Sequence, residues 1–120
     1  MNRALRAALL LAVISLAGCS VLEKRGAVVG CQAADTATTL HGLELGAKEA
    51  NPVVARLLDR FGPQGFIAVK TGVTLLVLHH YAAISPDLLA VLNGLTCGVA
   101  AHNANVASRL QRRAREAPPP

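Results

Sequence analysis

Three apolar stretches, at about residues 28–47, 65–84 and 87–107, fill most of this chain, and each approaches the roughly 20 residues that cross a bilayer. Only helices laid side by side use such segments economically. Asn51-Pro52 and Gly62-Pro63 punctuate the polar interval between the first two, and Ser85-Pro86-Asp87 makes a tight turn before the third. Ser85 is placed to cap the last helix, with Pro86 at its first position and Asp87 where the helix dipole favours an acid. Residues 53–61, VVARLLDRF, read as a short amphipathic helix with Arg56, Asp59 and Arg60 outward. The expected fold class is all-α: a small antiparallel bundle of three apolar, transmembrane helices behind an N-terminal signal helix.

None of the three segments is free of polar residues. Asp35, His41 and Glu44 lie in the first, Lys70, His79 and His80 in the second, and Asn93, His102, Asn103 and Asn105 in the third. A soluble bundle with very apolar core helices is therefore the rival reading. Charged residues make up only 16% of the chain against roughly a quarter in soluble domains, which favours lipid. Aromatic residues make up 2%, too few for an interfacial belt. Loop charge weighs more. With the N-terminus outside and three spans, the inner regions hold Lys48, Arg56, Arg60, Arg109, Arg112, Arg113 and Arg115, and the outer regions hold only Lys24 and Arg25. That asymmetry obeys the positive-inside rule, and it accounts for the net charge of +5 without a nucleic-acid partner, for which no binding motif is present.

The first twenty residues, MNRALRAALLLAVISLAGCS, place Arg3 and Arg6 before an apolar run too short to span comfortably. The L-A-G-C ending resembles the lipobox of bacterial lipoproteins. That resemblance implies cleavage before Cys19 and a lipid on its thiol. The chain then divides into a signal peptide over 1–18, a linker over 19–27, a three-helix membrane domain over 28–108, and a basic, Pro-rich tail over 109–120 expected to fray. Cys31 and Cys97 are too few and too far apart in sequence for a disulfide framework or a C-x-x-C metal site, and read as small buried residues.

At about 100° per residue, Asp35, Thr38, Thr39, Gly42, Gly46 and Glu49 share one face of the first helix. Val29, Ala33, Leu40, Leu43 and Ala47 occupy the opposite, lipid-directed face. Gly42 with Gly46, and Gly94 with Gly98, offer close-approach surfaces to neighbouring helices. On the second helix Lys70, Thr74, Val77 and Tyr81 share a face. Depth arithmetic puts Lys70 near the inner end, closer to Glu49 or Glu44 than to Asp35, and puts Asp35 level with Asn93. The expected intramembrane polar cluster is thus Asp35, Thr39, Glu49, Asn51, Lys70 and Asn93, acting as structural glue, with an ion or proton pathway as the sharper use. His41, His102 and Glu44 lack metal-ligand spacing, so no metal and no cofactor is expected. Neither G-x-S-x-G nor a Cys-His pair with an orienting acid is present, so no enzyme is expected either.

The stretch DTATTLHGLELGAKEANP, residues 35–52, resembles a family of small bacterial multi-span membrane proteins classed as a domain of unknown function. That family carries an Asp and a Thr on its first helix, a G-A-x-E-x-N-P end, and a Lys in the next helix. The corresponding residues are Asp35, Thr39, Gly46, Ala47, Glu49, Asn51, Pro52 and Lys70, and the likeness covers residues 30–84. It implies membrane residence and supplies no reaction. The expectation is a small inner-membrane lipoprotein of structural or accessory role, in contact with membrane lipid and another membrane protein, with no small-molecule substrate identified. The alternative is a soluble periplasmic lipoprotein, which Ser20 after the Cys would direct to the outer membrane.

Overall fold

Two short side chains set where the long helices begin. The structure is a computed structural model in which residues 20–120 are described, so the segment expected to be a signal peptide and Cys19 lie outside the described residues. Helix α1 spans Arg25–Glu44, α2 spans Pro52–His79, a 3-10 turn spans Tyr81–Ala83, and α3 spans Pro86–Glu116. Asn51 caps α2 by accepting from the Val53 N–H, and Ser85 caps α3 by accepting from the Leu88 N–H. Proline follows each cap at the first helical position, where its missing N–H costs nothing.

The end of α1 departs from the expectation. Gly46 has φ of 88°, its N–H donates to Leu43 O, and the Ala47 N–H donates to Gly42 O. This reciprocal pattern is a Schellman stop, and only glycine adopts that φ without strain. Gly46 therefore ends the helix and does not form a close-approach pair with Gly42. A Cβ on Gly42 would meet Ala47 of its own turn at 3.7 Å. Gly94 faces Leu22 at 3.5 Å, and Gly98 faces open space. Neither glycine pair serves as a helix-crossing motif among the described residues.

The short amphipathic helix and the second apolar segment are joined as α2 across a kink at Gly62, whose φ of 69° and ψ of −173° are non-helical. Pro63 follows directly and cannot supply a helical N–H. At the other end of the chain, α3 continues through the basic segment to Glu116 where fraying was expected. Leu, Gln, Arg, Ala and Glu are good helix formers, and only the terminal prolines stop them.

Hydrogen bonds fix the directions. Asn93 meets Leu22 and Asn103 meets Thr39, so α1 and α3 run parallel; α2 follows α1 through the short 45–51 loop and its Lys70 still reaches Asp35, so α2 runs back along α1. The most extensive packing is between α1 and α3, with α2 resting on α1 alone and barely touching α3. The architecture is all-helical, as expected, but α1 is its spine. Among the described residues one helix, Pro52–His79, is long and apolar enough to cross a membrane. Three such spans are not found.

Cys31 and Cys97 form a disulfide, with Cα atoms 4.7 Å apart. This corrects the reading of two separate buried residues. A separation of 66 residues in sequence says nothing about distance once α1 and α3 lie parallel and in contact.

Candidate functional site

Along the C-terminal half of α1, three residues point toward its neighbours. Asp35 is reached by Lys70 from α2, with the ammonium Nζ donating to Oδ2 at 2.6 Å. The two side chains are 14% and 19% exposed, so the pair is largely removed from solvent but not sealed. Thr39, buried, accepts at Oγ1 from the Asn103 amide of α3 at 3.0 Å. Thr38 donates to Ala34 O, one turn back. Such back-bonding satisfies the hydroxyl proton locally and leaves the oxygen's lone pairs to accept.

Because α2 and α3 both lean on α1 and scarcely touch each other, a gap opens between them. It is a cavity of about 570 Å³, floored by Asp35, Lys70, Thr39 and Asn103. Its walls are apolar, from Phe66 and Val54 of α2 and Leu95, Val99 and Val106 of α3. Lys48, Glu49 and Asn51 line the end nearest the α1–α2 loop. The size lies within the range of small-ligand sites, and so does the composition of apolar walls around a few convergent polar groups.

Three expected relationships are corrected. Lys70 pairs with Asp35, while the Glu49 carboxylate accepts from the Asn51 N–H in its own loop at 2.9 Å. Asn93 does not lie level with Asp35; it is buried beside the start of α1, donating to Leu22 O at 2.8 Å. Leu43 and Ala47, assigned to the lipid side, line the cavity, Ala47 being carried there by the turn at Gly46. Of the second-helix stripe, Lys70, Thr74 and Val77 lie half-buried on α2, whereas Tyr81 falls beyond its end in the 3-10 turn, where its hydroxyl donates to Glu23 O. His41 reaches Gln111 of α3 at 3.2 Å and lies 3.9 Å from Glu44.

Asn103, Lys48 and Thr38 belong to the site and were absent from the expected cluster. Thr38 was legible, since it shares the Asp35 face. Asn103 was not, because its partner Thr39 lies 64 residues away. The buried Gln32 Oε1 has no hydrogen-bond partner among the described residues, and nothing in the sequence marks it.

An ion pair beside a lateral cavity, carried by three long helices with exposed apolar side chains, defines the class: an all-helical domain. Residues 26–105 match the family described as Domain of unknown function (DUF5658), and the chain belongs to that family. No curated protein and no solved structure matches it.

Proposed function

We propose that this protein is a small membrane-resident lipoprotein of structural or accessory role, its helices in the inner membrane and its N-terminus held by a lipid on Cys19. The observation that carries the reading is the apolar surface left outside a small core of Val28, Cys31, Phe66, Leu89, Ala100 and Ala107. Ile67, Val73, Leu75 and Leu76 on α2, and Leu88, Val91, Leu95 and Val99 on α3, are exposed, while Thr39 and Asn93 are buried and Asp35 pairs inward with Lys70. In water this arrangement wastes the hydrophobic effect; in hydrocarbon it is the economical one. The α2 span and the inner basic residues support the same placement.

A second reading, a periplasmic lipoprotein anchored to the outer membrane, is favoured by the polar content of α1 and α3, which fall short of spans by apolarity. Alkaline carbonate extraction decides between them. A Cys19→Ala variant carrying a cleavable signal should remain with the membrane pellet, held by its helices. Release into the supernatant would refute the spanning reading and leave the anchored one.

A further inference from the structure

The cavity between α2 and α3 holds two opposite charges on its floor and two more at its inner end. Asp35 and Lys70 form the deep pair, Lys48 and Glu49 stand at the loop end, and His102 is a further lining residue, so the two carboxylates and two ammoniums of the cavity balance. A net anion or net cation gains nothing from such a site beyond what an opposite charge takes back. Within that neutrality the floor is polar in a particular way. Lys70 Nζ has three donors and spends one on Asp35 Oδ2. Asp35 Oδ1 and Asn103 Oδ1 accept no hydrogen bond from the described residues. Open donors and open acceptors therefore lie side by side, and apolar Leu95 and Val99 at the rim are 65% and 50% exposed.

We propose that this cavity binds a zwitterionic group, an N–H-bearing ammonium beside an anion, with the ammonium donating to Asp35 and Asn103 and the anion accepting from Lys70. The apolar rim fits the chain of an amphiphile leaving between α2 and α3. A phospholipid headgroup of this kind and a free small zwitterion share the chemistry. The lipid source rests on the membrane reading above; the polar contacts do not.

The test uses the full chain purified in detergent and native mass spectrometry with equimolar phosphatidylethanolamine, phosphatidylcholine and phosphatidylglycerol. Phosphatidylethanolamine should be retained about tenfold over the other two, because the choline headgroup has no N–H and the glycerol headgroup no cation. Asp35→Asn combined with Lys70→Met leaves no orphan charge and should lose that preference, with formation of the Cys31–Cys97 disulfide reporting that it has folded. Val99→Trp, a change at an exposed rim position, should also lower retention by filling the opening while the ion pair stays in place. Equal retention of phosphatidylglycerol, or undiminished preference in both variants, would overturn the proposal. Glycerophosphoethanolamine bound without retention of its lipid assigns the free zwitterion as the source, and binding of neither overturns the site. A chain released by carbonate that still binds glycerophosphoethanolamine would refute the membrane reading alone, and a chain held in the pellet that binds neither would refute the site alone.

Discussion

Lys70 and Asp35 are each tolerable in an apolar bundle only because of the other. Removing one partner leaves an orphan charge at a site less than one-fifth exposed, whereas removing both leaves two neutral groups. The cost of an orphan here is on the order of 2–3 kcal/mol, below the roughly 3–5 of a fully sealed pair, because the cavity gives the survivor some access to water. Lys70→Met and Asp35→Asn should each lower the thermal unfolding midpoint in detergent, and the double variant should recover part of the loss. Glu49→Gln should change it little, since Glu49 accepts only from the Asn51 N–H of its own loop. Strict additivity of the two single changes would refute the pairing. Both residues of this pair stood out in the sequence as charges within apolar segments; their partnership did not. From Asp35 to the helix end at Glu44 is about 14 Å, and from Pro63 to Lys70 about 10 Å, a difference that one lysine side chain spans. Helix ends placed a few residues away, at 47 and 65, were enough to send Lys70 toward Glu49 instead.

Helix boundaries were more readable than helix contacts, because caps are local. Asn51-Pro52 and Ser85-Pro86 mark the starts of α2 and α3 within a few residues of chain, and both side chains make the expected cap bonds. Gly46 was visible too, but as a glycine four residues after another it read as a packing motif when its role is to stop α1. The Gly62 kink is a case where backbone conformation decides. Its φ of 69° with ψ of −173° is a region that essentially only glycine occupies, so Gly62→Ala should destabilise by about 1–3 kcal/mol. Gly72, inside the helical stretch, has open space where a Cβ would go. Gly72→Ala should be neutral or stabilise by up to about 1 kcal/mol, through helix propensity. Chemical denaturation of the two variants, monitored by circular dichroism, separates the effects. Equal losses would mean that the kink is not held by its backbone. The kink also divides α2 by character, setting Arg56, Asp59 and Arg60 on an exposed amphipathic turn apart from the apolar stretch that carries Lys70.

At the scale of the whole molecule, the disulfide and the loop charges bear on the same question from opposite ends. Cys31 lies six residues into α1, about 9 Å from its start, and Cys97 eleven residues into α3, about 16 Å from its start. Both starts face outward in the proposed topology, so the disulfide sits in the half of the bundle nearer the oxidising side of the membrane, where disulfides form and persist. The basic residues Arg109, Arg112, Arg113 and Arg115 are exposed at the far end of α3, on the side that the positive-inside rule assigns to the cytoplasm. A reporter fused after Arg115 should therefore read cytoplasmic and one inserted in the Ser85–Asp87 turn periplasmic. In the same cells, Cys31 and Cys97 should take up a maleimide-polymer label only after denaturation and reduction. A periplasmic reading at both positions would favour the anchored soluble lipoprotein. Labelling of denatured protein without reduction would refute the disulfide, and the α1–α3 register would then rest on the Asn93–Leu22 and Asn103–Thr39 hydrogen bonds. With both results as expected, α1 and α3 are joined covalently in their outer halves, and the cavity lies beside them toward the end closed by the 45–51 loop.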